Sequence, residues 1–179
     1  MNGEVIILTG PPASGKTTVA GLLATNASTP AVHLTTDLFY RAIKTGFVPP
    51  YLPEAHRQNE VVVDAIVATV RTFAHGGYDV VVDGIIGPWF LPPFRKAFEN
   101  LTYVVLRPDL ATTLARAKER VGGELKDVDA ITGLHGAFGQ LGDLERHAID
   151  TGHLDADQTA AEVRRALASG EYRLNAATT

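Results

Sequence analysis

The sequence predicts an α/β fold built on a mostly parallel sheet, and three observations carry that prediction. Short β-branched apolar runs recur along the chain, amphipathic helical stretches separate them, and a glycine-rich turn joins the first run to the first helix. Regular alternation of strand and helix patterns leads to a sheet with helices packed on it. The runs are continuous rather than alternating, which suits parallel strands covered on both faces.

The elements follow in order. Val5-Ile6-Ile7-Leu8 is the first strand, and a helix runs from Gly15 to about Ala24. Ala31-Val32-His33-Leu34 is the second strand, followed by a short helix over Leu38 to Ile43. The longest helix spans roughly Glu54 to His75, with Val62, Ile66, Val70 and Phe73 at helical spacing and Gly76-Gly77 as its stop. Val63 and Val67 widen its apolar face. Val80-Val81-Val82 and Tyr103-Val104-Val105-Leu106 are the next strands. A helix from Asp109 to about Val121 carries the stripe Leu110, Leu114, Ala117 and Val121. His147-Ala148-Ile149 is a weaker strand. The last helix starts at Asp155, where Asp155 and Gln158 have capping-box spacing, and continues through Val163 and Leu167. Thr45 to Pro53 is rich in proline and Gly122 to Gly142 in glycine, and neither shows a regular period. The tail after Gly170 reads as loosely held.

Composition narrows the function. The 179 residues are 45% hydrophobic, and a chain of this length makes one domain, spanning 1–179, since domains usually run about 100–200 residues. A net charge of −4 and a pI near 5.8 argue against a general nucleic-acid binder, which shows a basic face. With no cysteine, disulfides and thiolate chemistry are excluded. The start, Met1-Asn2-Gly3-Glu4, lacks the basic and apolar regions of a secretory signal, and no run nears the roughly 20 apolar residues that span a bilayer. The expectation is a cytoplasmic protein with neither nucleic-acid nor membrane partners.

The sharpest motif is Gly10-Pro11-Pro12-Ala13-Ser14-Gly15-Lys16-Thr17, which matches G-x-x-x-x-G-K-[ST] between a strand and a helix. Glycines let the backbone close around phosphate oxygens with successive N–H groups pointing inward, and the helix adds the positive end of its dipole. Lys16 is placed to bridge the β- and γ-phosphates of ATP, and the Thr17 hydroxyl to bind Mg²⁺. Thr18 continues the binding segment.

Two carboxylates end strands, where ligands gather in an open parallel sheet. Asp37 follows the second strand in Leu34-Thr35-Thr36-Asp37-Leu38 and could orient an acceptor hydroxyl and take its proton. It also fits the N-cap of the helix after it. Asp83 ends Val80-Val81-Val82 in the Walker-B type position that holds Mg²⁺, and it equally fits a turn before Gly84. Arg116 and Arg120 share one helix face and could close over a transferring phosphate; a solvated basic face is the rival reading. Tyr40, Arg41 and Trp89, with Phe39, Pro88 and Phe90, are candidates to wall an acceptor pocket. Simple core packing competes for Phe39 and Phe90. The six histidines show no metal-ligand spacing and read as surface, capping or lid residues.

These residues resemble the P-loop small-molecule kinase group that includes shikimate, gluconate and adenylate kinases, and the layout is most similar to the chloramphenicol phosphotransferase type. The resemblance runs from Val5 to about Leu167. It implies a P-loop NTPase three-layer sandwich with a five-stranded parallel sheet in the order 2-3-1-4-5. It also implies a lid over 122–142, Arg116 and Arg120 as lid arginines, and the loop Ile149 to Leu154, with Gly152 and His153, beside adenine. Asp37 resembles the acceptor-side carboxylate of these families. Thr35 departs from the paired aspartates of shikimate kinases. The motifs of nucleotide monophosphate kinases are not recognisable. The implied reaction moves the γ-phosphate of ATP, with Mg²⁺, to a hydroxyl of a small metabolite or antibiotic. The alternative is a P-loop ATPase or nucleotide-dependent regulator acting on a partner protein. A third reading, an RNA-end kinase, is opposed by the low pI.

Overall fold

The computed structural model describes residues 2–119 and 127–174. Five parallel strands take the order β2-β3-β1-β4-β5, the order the family resemblance implies. They are β1 Val5–Thr9, β2 Ala31–Thr35, β3 Asp79–Gly84, β4 Leu101–Leu106 and the two-residue β5 Ala148–Ile149. A further short strand, β6 Arg173–Leu174, pairs antiparallel with β4. The tail is thus held at least to Leu174, which is buried, because its apolar side chain closes the open end of the β4 edge.

The continuous apolar runs are explained by two cores. Alternate residues of each strand point to opposite faces. Val5, Ile7, Val80, Val82 and Tyr103 meet helix α3, His56–His75, and helix α4, Leu91–Ala97. Ile6, Leu8, Val81, Val104 and Leu106 meet helix α1, Lys16–Thr25, and helix α7, Ala156–Ser169. Helix α2 covers Thr36–Ala42 and helix α5 covers Leu110–Glu119. The longest helix stops at Gly76 as expected, with Gly77 taking φ 85°. The capping box forms as read, Asp155 accepting from the Gln158 amide and Gln158 from the Asp155 amide.

Two features differ from the sequence reading. The segment read as irregular, Gly122 to Gly142, contains helix α6, Val128–Phe138, over its described part. Asp127 caps that helix by accepting from the amides of Asp129 and Ala130. The glycines at 133 and 136 obscured its period. Arg120, Val121 and the glycines at 122 and 123 lie outside the described residues. One histidine is a core residue rather than a surface, capping or lid residue: His147 is fully buried, with Nδ1 2.9 Å from the Tyr103 carbonyl oxygen.

Candidate functional site

The glycine-rich loop forms the turn between β1 and α1. Gly10 takes φ 148° and Gly15 takes φ 88°, conformations that L side chains rarely adopt. Ala13 also has positive φ, at 60°. Its methyl is held in a small cluster with Ala117 of α5 and Ile131 of α6. Pro11 and Pro12 are buried in the loop.

The loop has the features of an anion cradle. A Cβ on Gly15 would meet no atom of the described residues within 4 Å. Ser14 is 2% exposed, yet its buried Oγ has no hydrogen-bond partner among the described residues. No side chain caps the N-terminus of α1 and no acidic residue stands in its first turn. The positive end of the helix dipole there favours a negatively charged ligand. Lys16 begins the helix, and its Nζ donates to the Pro11 carbonyl oxygen at 3.1 Å. An orphaned buried hydroxyl, an open cradle and an uncapped helix start together fit the phosphates of a nucleotide.

Asp83 lies beside that cradle. The parallel register sets Leu8 opposite Asp83 and Thr35 opposite the same residue, so the carboxylate sits at the carboxyl end of the central strands. Thr17 Oγ1 donates to Asp83 Oδ2 at 2.6 Å, and Thr35 Oγ1 donates to Oδ1 at 2.8 Å. His33 Nε2 lies 2.6 Å from Oδ1. Burial acts to raise the Asp83 pKa, but hydrogen bonds from His33, Thr17 and Thr35, together with the His33 charge, outweigh it and hold the carboxyl below its usual value. An ionised carboxylate touching a hydroxyl is an oxygen pair suited to a hard divalent cation. Thr17 and Asp83 are the residues that would hold Mg²⁺. Thr18, one position further along α1, is exposed.

His33 and Thr35 were not read as part of this site. Their signal was present: two polar side chains at alternate positions of an otherwise apolar strand share one face.

Asp37 stands at the next strand end. Thr35 occupies the N-cap position of α2 without a side-chain cap bond, and Asp37 is the second helical residue. The capping role for Asp37 is therefore incorrect. The helix starts earlier than expected because Thr36 is already helical and buried. Asp37 is exposed, two residues from Thr35 and its bond to Asp83. Tyr40 donates to Asn59 Oδ1 at 3.2 Å, and burial followed by the Asp37 charge pushes its pKa up to about 12. Arg41 is exposed in the last turn of α2.

Trp89 lies in a 3-10 turn, Pro88–Phe90, with ring centroids 6.3 Å from Phe90 and 5.6 Å from Phe138. Phe39 and Phe90 pack against the α3-side core. Arg116 reaches the carbonyl oxygens of Thr151 and Leu154, each at 3.3 Å. It thereby joins α5 to the loop that contains Gly152 and His153. Gly152 donates to Asp150 Oδ1 at 2.9 Å, and His153 is exposed. Arg107, another residue the sequence reading passed over, donates to the Phe138 carbonyl oxygen at 3.0 Å and pairs with Glu145. It ties the end of β4 to the end of α6.

Comparisons with known proteins agree with this fold. A family model described as an AAA domain matches residues 6–133. No curated protein sequence matches. Among solved structures, a shikimate kinase from Bacteroides thetaiotaomicron is similar at 17% identity and TM-score 0.68, over 92% of this chain and 98% of that one. The tunicamycin resistance protein of Deinococcus radiodurans is similar at 17% identity and TM-score 0.67, over 92% and 95%. A chain of the Pnkp1/Rnl/Hen1 RNA repair complex is similar at 18% identity and TM-score 0.64; the match covers 79% of this chain and 46% of that one. The shared feature is a P-loop kinase-like α/β fold. No helix among the described residues is long and apolar enough to cross a membrane.

Proposed function

The chain belongs to the AAA-domain family, and from that premise we propose that it is a kinase moving the γ-phosphate of ATP to a hydroxyl of a small molecule. The observation that carries this reading is the contact between Thr17 and Asp83 beside an open phosphate cradle. Fold neighbours that phosphorylate small molecules, among them shikimate and thymidylate kinases, favour a kinase over a partner-driven ATPase. So does an exposed carboxylate, Asp37, at the adjacent strand end.

In the proposed reaction the loop amides and Lys16 hold the β- and γ-phosphates, and their positive charge balances the charge that builds on the transferring group. Thr17 and Asp83 would hold Mg²⁺, which would supply further charge neutralisation for the transferring group. Asp37 accepts the acceptor's hydroxyl proton as its oxygen forms a bond to the γ-phosphorus. The bond from that phosphorus to the bridging oxygen breaks, and its electrons leave on ADP. Gly152 and His153 lie in the loop expected to pass the adenine, and Arg116 bonds to that loop.

The test is acceptor-dependent ADP formation across sugars, shikimate-like acids, nucleosides and antibiotics. Turnover that requires an added alcohol and yields its phosphate ester supports the reading. ATP hydrolysis that responds to a partner protein and to no alcohol replaces it with the regulatory ATPase.

A further inference from the structure

Resting on the kinase reading, we propose that the acceptor binds in the cleft between Trp89 and α6, and that it is an uncharged molecule bearing a hydroxyl and a flat apolar face. The cleft measures about 660 Å³. Pro88 and Trp89 form one wall, and Thr132, Gly133, Gly136 and Gln140 of the α6 region form the other.

Both walls are attached to the phosphate loop. The Ile86 amide donates to Thr9 Oγ1 at 2.9 Å, and its carbonyl oxygen accepts from the Tyr103 hydroxyl at 2.9 Å. Thr9 directly precedes Gly10, so the segment leading to Trp89 is fixed at the loop's entry. On the other side, Ile131 of α6 packs against Ala13 of the loop itself. A molecule seated between these walls lies next to the place where the phosphates bind.

The lining fixes the chemistry. Among the described residues that line it none is charged, so a charged group seated against them gives up hydration and meets no counter-charge from them. Thr132 and Gln140 supply neutral hydrogen-bonding groups. The indole lies over Gly87, where a Cβ would come within 2.3 Å of the ring, and it is braced by Phe90 and Phe138. Even so, Trp89 remains 45% exposed. A braced and exposed aromatic face suits a flat partner.

The opposite wall is kept bare. Gly133 and Gly136 sit inside a helix, where glycine is among the least favourable residues. Among the described residues a Cβ on either would meet nothing within 4 Å, and neither takes a positive φ. Packing and backbone shape therefore do not require them. Their absent side chains widen the cleft facing the indole.

The chain has one tryptophan, so its fluorescence reports on this cleft. With the protein saturated by a non-hydrolysable ATP analogue and Mg²⁺, two matched pairs are titrated: phenyl glucoside against phenyl glucuronide, and thymidine against thymidine monophosphate. The neutral member of each pair is expected to change Trp89 emission and to bind at least tenfold tighter than the charged one. Gly133→Ala and Gly136→Ala are expected to melt above the wild type and to weaken that binding at least tenfold. Equal or tighter binding of the charged members overturns the proposal. So does silence from all four compounds, or alanine variants that gain stability without losing affinity. Turnover separates the two readings. An acceptor phosphorylated with unchanged KM by Gly136→Ala removes the cleft and leaves the kinase standing. Tight binding in the cleft with no ADP formed from any alcohol does the reverse.

Discussion

Thr17 Oγ1 donates to Asp83 Oδ2 across 2.6 Å, joining the first turn of α1 to the end of β3. The loop motif and the strand-end carboxylate were read separately from the sequence, and this contact makes them one site. Asp83→Asn keeps the shape but removes the negative charge. We expect Mg²⁺-dependent nucleotide binding to weaken by about 10–100-fold, the range found when groups that tune a metal site are changed. Nucleotide titrations with and without Mg²⁺ check this; an unchanged Mg²⁺ requirement refutes the assignment.

The same carboxyl predicts an acid response. Its folded pKa is held below the ordinary value, because the hydrogen bonds from His33, Thr17 and Thr35 outweigh the opposing effect of burial. A depressed carboxyl pKa stabilises the fold above the unfolded pKa, and that contribution is lost as the pH falls through the folded pKa. The stability difference between wild type and Asp83→Asn should therefore narrow as the pH is taken below about 4, where unfolded carboxyls begin to protonate. Denaturant titrations at a series of pH values measure it, and a difference that widens in acid counts against the network.

The parts of the fold legible in the sequence were those with a strong local pattern. Val80-Val81-Val82 and Tyr103 to Leu106 are buried on both faces, so their apolar character is unbroken. The phosphate loop was legible because its chemistry demands local glycines. Helix α6 was obscured because Gly133 and Gly136, on its exposed side, are loop-forming residues that mask the helical spacing of the buried Ile131 and Phe138. β6 was missed because two residues cannot show a strand pattern. The sequence shows His33 and Thr35 on one face of β2, but that they meet Asp83 follows only from the β2–β3 register, which is a tertiary fact.

Lys16→Ala should abolish phosphoryl transfer and leave a folded protein. The side chain is 8% exposed and donates to the Pro11 carbonyl oxygen. Losing that charge-assisted bond should lower stability by roughly 1.5–3 kcal/mol. Thermal melting and single-turnover transfer give the two readouts. A folded variant with near-normal turnover places the phosphates elsewhere.

Arg116 offers a choice between two roles. As a lid arginine it would stabilise the transferring phosphate, and its loss would lower kcat. The guanidinium instead bonds the carbonyl oxygens of Thr151 and Leu154, which hold the loop bearing Gly152 and His153. We therefore expect Arg116→Ala to raise the KM for ATP several-fold more than it lowers kcat. A fall in kcat at constant KM would return the residue to the phosphate.

Asp37 separates catalysis from structure more cleanly than capping would have allowed. It is the second residue of α2 and does not cap it, the N-cap position being Thr35. Its remaining structural role is a negative charge near a helix N-terminus, worth about 0.3–1 kcal/mol. Asp37→Asn and Asp37→Ala should both fold and should lose no more than about 1 kcal/mol of stability. Neither side chain can take a hydroxyl proton, so transfer should fall by something like 10²–10⁴-fold in both, the usual range for a general base. The lower end of that range fits a carboxylate that mainly orients the acceptor, since a loose phosphoryl-transfer transition state demands little proton removal. ATP binding should persist, because Lys16, Thr17 and the loop amides are untouched. Melting temperature, ATP affinity and acceptor-dependent turnover, measured on both variants, decide the matter. If turnover is normal in both, Asp37 serves only the helix, and the acceptor hydroxyl must be assigned to Asp83, the strand-end carboxylate already in contact with Thr17.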